Sequence, residues 1–255
     1  MLLILSPSKT QRPVNRDFSH STQPVFHEKT LFLANYLKSL SKKEIAQLMK
    51  TSEKLTNSTH QLIHNFELPF SIEKTRQAIF TFQGDAYSRM SPETYSEEEL
   101  YYAQDHLCIL SGLYGVLRPL DLMFPYRLEM GTKTPILQTK NLYDYWSEDL
   151  TDFMNSSLAE MESKAVINLA SAEYSRTINQ KRLQGKFITI VFRQEKNGAY
   201  KTIPIYSKRA RGLMTHFTIS RQIKNPEDLK DFSLDGYSYR EKESSKEIWF
   251  FEKRI

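Results

Sequence analysis

Apolar positions along the chain fall into short runs separated by polar, turn-forming stretches. The first run, Leu2–Leu5, reads as a strand that ends in Ser6-Pro7-Ser8-Lys9-Thr10. A polar stretch with Pro13 and Pro24 follows and reads as loop. From His27 to Lys50 the apolar residues take helical spacing. Ser41 with Glu44 three residues on is a capping-box signature, so a second helix is expected to begin there. A third helix is expected over Thr56 to Phe66, and Gln77–Phe82 reads as a strand stopped by Gly84-Asp85. Ser96 with Glu99 marks another helix start, Leu107–Leu110 a strand, Asn141 to Leu158 an amphipathic helix, and Ala165–Ala170 a continuous apolar strand. Phe187–Phe192 and Ala199–Tyr206 are expected to form a hairpin across Asn197-Gly198, a dipeptide suited to a two-residue turn. A helix from about Lys208 to Gln222 and a last strand near Ile248–Phe251 complete the pattern.

Strands alternating with helices predict an α/β fold: a mixed, partly parallel sheet flanked by helices, with a C-terminal antiparallel hairpin. No linker-like stretch divides the 255 residues, so one domain over 1–255 is expected. Residues 109–116 also have the h-x-G-h-x-G-h look of a helix-hairpin-helix turn, a pattern that a strand followed by a glycine turn explains equally well.

Composition adds limits. The hydrophobic share of 40% suits a folded core. Cys108 is the lone cysteine, which excludes an intramolecular disulfide and suits a reducing cytoplasm. No secretory signal core is visible, and no apolar run approaches the roughly 18 residues of a membrane span, so no membrane partner is expected. The net charge of +5 is distributed unevenly. Residues 176–224 carry twelve Lys and Arg, among them Arg176, Lys208, Arg209 and Arg211, against one acid, Glu195. The remainder is net acidic, and such asymmetry is expected of a phosphate-binding face.

Candidate chemistry sits where apolar runs end. If the strands are parallel, the loops at 6–10, 83–85, 111–115 and 170–174 leave one sheet edge, where α/β proteins bind ligands. Lys9, Asp85, Tyr87, Glu129 and Glu173 are the candidates for acid–base work in such a cleft. Lys9, Arg118, Arg127, Arg176, Lys208, Arg209 and Arg211 are the candidates for holding DNA or a small anion. In 112–131, Arg118, Asp121, Tyr126, Arg127 and Glu129 stand among apolar residues, which fits either a structural ion-pair network or an anion site. His60 and His64 have ligand spacing without a plausible third ligand, so no metal site is assigned. Without a Walker loop or a G-x-G-x-x-G run, no cofactor is expected.

These blocks resemble the YaaA family end to end: LSPSKT at Leu5–Thr10, FQGDAY at Phe82–Tyr87, the 22 residues Leu110–Gly131, INLASAEY at Ile167–Tyr174 and KRARGLM at Lys208–Met214. The resemblance implies a cytoplasmic protein of the hydrogen peroxide stress response, one that limits oxidative damage to DNA and protein and is associated with lowered free intracellular iron. It also implies DNA binding through a basic cleft and a helix-hairpin-helix-like element, with duplex DNA and weak sequence preference expected. An enzyme acting on a small anionic substrate, a nucleotide or an amino-acid-like acid, is the alternative. By position, Lys9, Asp85, Tyr87, Arg118, Asp121, Arg127, Glu129, Ser171, Glu173, Lys208 and Arg211 fall in the family's motifs. Arg89 and His216 depart from its pattern. His216 in place of the usual arginine predicts weaker anion binding above pH 7.

Overall fold

The computed structural model describes residues 1–16, 18–134 and 139–254. Ten strands appear in chain order: β1 (Leu2–Leu5), β2 (Arg76–Gln77), β3 (Leu107–Ser111), β4 (Gly115–Leu117), β5 (Leu122–Met123), β6 (Ala165–Asn168), β7 (Lys186–Lys196), β8 (Ala199–Lys201), β9 (Tyr237–Tyr239) and β10 (Ile248–Lys253). The helices are α1 (His27–Ser39), α2 (Lys42–Met49), α3 (Glu53–Asn65), α4 (Asp85–Met90), α5 (Glu97–His106), α6 (Leu142–Ala159), α7 (Ala172–Ser175) and α8 (Pro204–Ser220).

The main sheet runs β4-β3-β1-β6-β7-β10-β9, with β8 paired to β7. Its five central strands, β3-β1-β6-β7-β10, are mutually parallel. Antiparallel partners β4, β9 and β8 are added outside that run. This is the expected mixed α/β sheet. Helices α5 and α6 pack on β1, α7 on β3 and α8 on β7. Strands covered on both faces read as nearly continuous apolar runs, and every residue of β1, β3 and β6 is buried, with Ser111 and Asn168 the polar residues at the carboxyl ends. Strand β7 instead alternates, burying Ile188, Ile190, Phe192 and Gln194.

Both capping boxes form, at Ser41/Glu44 ahead of α2 and Ser96/Glu99 ahead of α5. The β7–β8 turn holds Asn197 and Gly198 at φ 56° and 75°, the left-handed conformations a tight hairpin needs. Three expectations are corrected. Residues 77–82 are not a strand: β2 ends at Gln77, Ala78–Phe80 is a 3₁₀ turn, and Phe82 makes one isolated bridge to Gln11. The second arm of the hairpin stops at Lys201, because Pro204 opens α8 at its first turn, where its missing N–H costs nothing. Residues 109–116 are the end of β3, a turn and the start of β4, with Ser111 opposite Gly115. That segment takes the strand-and-turn alternative, so its amides lie in a β-hairpin rather than between two helices.

Candidate functional site

Strand β1 lies between β3, the next strand of the parallel run in sequence, and β6, which follows it. The chain therefore changes direction across the sheet at β1, and the cleft lies beyond the carboxyl ends of β1 and β6. Ser6 and Ser171 tie these loops together. The Ser171 N–H donates to Ser6 Oγ at 2.9 Å, and the two hydroxyls lie 3.3 Å apart. The Tyr87 hydroxyl donates to Ser6 O at 3.0 Å. Gln11 Oε1 accepts from Tyr126 N at 2.8 Å and draws residues 126–129 over the same end. The result is a cleft of about 510 Å³, walled by residues 5–11, 83–87 and 126–129, by Leu169, Ser171, Glu173 and Tyr174, and by two side chains of α8, Lys208 and Arg211.

Helix α8 reaches the cleft because α4 and α8 cross closely. A Cβ at Gly212 would lie 2.0 Å from Ala86 O, so the crossing requires a glycine. Gly84 enters α4 at φ 99°, a conformation that side chains disfavour, and delivers Asp85 to the first position of the helix. Asp85 Oδ1 then accepts from Arg209 Nε at 3.2 Å.

Charge in the cleft is unequally matched. Glu129 is held by Lys9 at 2.7 Å and Arg127 at 3.3 Å. Glu173 accepts from Gly131 N at 3.0 Å and has no cationic partner among the described residues. Lys208 and Arg211 have no acid partner among the described residues, and the buried Nε of Arg211 makes no hydrogen bond. Burial lowers the Arg211 pKa from its ordinary value, the sign of a cation stripped of water without compensation. Three phenols, Tyr87, Tyr126 and Tyr174, close the floor. Burial raises each of their pKa values, so they stay protonated.

Comparison with known proteins identifies this arrangement's relatives. The model of the family described as "Peroxide stress protein YaaA" matches residues 1–243. The chain belongs to the YaaA family. A protein named UPF0246 from Desulfotalea psychrophila is 47% identical over 251 residues, covering 98% of this chain and 97% of the relative. Another from Neisseria gonorrhoeae is 40% identical over 252 residues, with the same coverage. A third, from Shewanella baltica, is 43% identical over 249 residues, 96% of each chain.

The YaaA-like motif residues divide between the cleft and the scaffold. Lys9, Asp85, Tyr87, Arg127, Glu129, Ser171, Glu173, Lys208 and Arg211 line the cleft, and Arg209 stands behind Asp85. Arg118 does not reach it. Strand β4 runs antiparallel to β3, so Arg118 is carried back toward the amino ends of the parallel strands. There its guanidinium binds Asp121, with Nη2 to Oδ1 at 2.9 Å and Nε to Oδ1 at 3.2 Å. Asp121 also accepts from Arg118 N at 2.8 Å and Thr22 Oγ1 at 2.6 Å. For this pair the structural ion-pair reading holds. Arg176 lies outside the lining and stacks over the Tyr143 ring at 3.9 Å. Of the four loops expected to converge, 111–115 turns into β4 instead, and 83–85 arrives from the 3₁₀ turn.

The departures from the family pattern also lie off the cleft. Arg89 is exposed on α4. His216 faces Met90 O at 3.1 Å and stacks on Tyr95, away from the residues that line the cleft. His60 and His64 stack on each other at 4.0 Å along α3. Among the described residues no three His, Cys, Asp or Glu side chains are grouped as a metal ion would need. No described helix is long and apolar enough to cross a membrane.

The basic segment is partly neutralised. Arg182 pairs with Glu148 and Asp152, Arg193 with Glu252 and Arg209 with Asp85. Lys224 lies beside Met1, at the amino end of β1 and so at the opposite sheet edge. Sequence reasoning missed what Ser6, Tyr126 and Tyr174 do in the cleft. The signal available was their position in the motif blocks beside the charged residues.

Proposed function

We propose that this YaaA-family protein serves the peroxide stress response in the cytoplasm by acting on a small anionic substrate, one bearing a phosphate or carboxylate, in the cleft. The observation that carries this reading is the Arg211 guanidinium, whose buried Nε is unpartnered in a cleft lined also by Lys208, Asp85, Glu129 and Glu173. A desolvated, unpaired cation is costly to the fold, and a bound anion removes that cost. Arg211 and Lys208 hold the anion. Glu129 is committed to Lys9 and Arg127, and Asp85 to Arg209. Glu173, which bonds one backbone N–H and no cation among the described residues, is the carboxylate left for general acid–base work.

The test is thermal unfolding in the presence of inorganic phosphate, pyrophosphate, nucleoside phosphates and short carboxylates. A ligand present at a hundred times its Kd stabilises by about 2.7 kcal/mol. At least one class should raise Tm, and Glu173→Gln should retain binding while losing turnover of the compound found. If none raises Tm, the reading fails.

A second reading, binding of duplex DNA with weak sequence preference along the same basic wall, is favoured by the net +11 over residues 176–224. The local pairing of Arg182, Arg193 and Arg209 weighs against it, because paired cations gain less from phosphates. A duplex titration at several salt concentrations separates the two. Steep salt dependence supports DNA; absent or salt-independent binding ends that reading. Lowered intracellular iron enters as a cellular consequence, and iron held by this chain is not part of the proposal.

A further inference from the structure

The hydrogen bonds beneath the cleft have a direction. Ser111 Oγ accepts from Leu113 N at 3.2 Å and from Tyr114 N at 2.9 Å. A serine hydroxyl has two acceptor lone pairs and one proton, so both lone pairs are used and the proton remains. It goes to the Tyr126 hydroxyl, 2.7 Å away. Tyr126 thus receives a hydrogen bond, and among the described residues its own O–H has no acceptor. The Tyr174 hydroxyl also belongs to the cleft lining, and no described residue accepts its proton. Tyr87 differs, because its O–H is already donated to Ser6 O. Tyr114, the fourth buried phenol nearby, donates to Phe124 O and accepts from Phe124 N, and it does not line the cleft.

We infer that Tyr126 and Tyr174 are the hydrogen-bond donors of the cleft, Tyr126 fixed as a donor by the serine and the two amides behind it, and that they receive an oxyanion of the ligand. This rests on the small-anion reading and sharpens it. The ligand class is a compound with a negatively charged oxygen group, a phosphate monoester or a carboxylate, compact enough to meet two phenols at the floor while its charge faces Arg211. Chains of hydrogen bonds polarise one another, so Tyr126 is a better donor than an isolated phenol.

Calorimetric titration with inorganic phosphate and with a nucleoside monophosphate provides the test, using wild type, Tyr126→Phe, Tyr174→Phe and Tyr114→Phe. A hydrogen bond to a charged group is lost in each of the first two, so the Kd should rise about tenfold or more. Tyr114→Phe should leave the Kd unchanged, since its hydroxyl serves only Phe124. Should a variant fail to fold, wild-type protein grown with 3-fluorotyrosine supplies the same information, because more acidic phenols donate more strongly and should tighten binding. Unchanged affinity in both Phe variants, or in the fluorinated protein, overturns the inference while leaving the cleft reading intact. Absence of any anion binding by wild type overturns both.

Discussion

Arg118→Met separates scaffold from site. In the native protein Asp121 is fully buried, and its carboxylate is met by the Arg118 guanidinium, the Arg118 N–H and the Thr22 hydroxyl. Removing the guanidinium leaves a buried carboxylate with two neutral donors. Breaking a buried pair on one side costs about 3–5 kcal/mol. Arg118 is 32% exposed, and that partial solvation favours the lower figure, about 3 kcal/mol. For a chain of this size that corresponds to a fall in Tm of about 6–12 °C.

The pH dependence follows from Asp121. Burial, opposed by Arg118, already raises its pKa above the ordinary carboxylate value of 3.8. A raised folded pKa means that the folded state holds the proton more tightly than the unfolded state. The penalty for burying the charge is then absent below the unfolded pKa and grows as pH rises through the folded one. Without Arg118 the folded pKa climbs further, so the gap between variant and wild type should be widest near pH 7 and should narrow as pH falls through the acid range. Denaturant unfolding at a series of pH values measures this. Anion binding in the cleft should be unchanged per folded molecule, because Arg118 lies toward the opposite end of the strands. A loss below about 1 kcal/mol at neutral pH, well under the cost expected for a broken buried pair, would refute the reasoning. So would a gap that does not change with pH.

Other substitutions grade the remaining features. Gly212→Ala drives a methyl group to within 2.0 Å of Ala86 O, a backbone atom that no rotamer change can move. It should cost about 3 kcal/mol and weaken anion binding, read by unfolding and titration together. Gly84→Ala must hold alanine at φ 99° with Ser8 Oγ 3.1 Å from the new methyl; about 1–3 kcal/mol of lost stability is expected in the same unfolding measurement. Arg209→Met breaks a pair whose partners are each more than one-third exposed, so it should change stability by less than about 1 kcal/mol, in contrast to Arg118→Met.

Features governed by local chemistry were legible in the sequence. Ser41/Glu44, Ser96/Glu99 and Asn197-Gly198 each specify their cap or turn through a few adjacent residues, and all three form. Residues 77–82 were not, because Ala78 to Phe82 are buried on every side. A fully buried apolar run has no period from which to tell strand from 3₁₀ turn. Helix α4 was hidden for a related reason: Asp85–Met90 is six residues long and rests on the α8 crossing at Gly212, a contact distant in sequence. The same distinction explains the site. Residues on loops leaving β1 and β6 converge because parallel strands end together. Arg118 shares a motif block with Arg127 and Glu129, yet one antiparallel turn after β3 sends it to the other end. Neither residue type nor spacing reveals that reversal. The direction of the Ser111–Tyr126 hydrogen bond depends on two backbone amides, which the sequence does not display.

Arg211 is the residue on which the proposed anion site depends. The most direct measurement of that dependence is calorimetric titration of inorganic phosphate, or of a stronger anion found by thermal shift, into wild type, Arg211→Gln and Arg182→Gln. Both variants remove one positive charge, but Arg182 lies away from the cleft, paired with Glu148 and Asp152. Arg211→Gln should abolish saturable binding while Arg182→Gln matches wild type. Equal losses in the two variants, or none in either, would contradict that dependence.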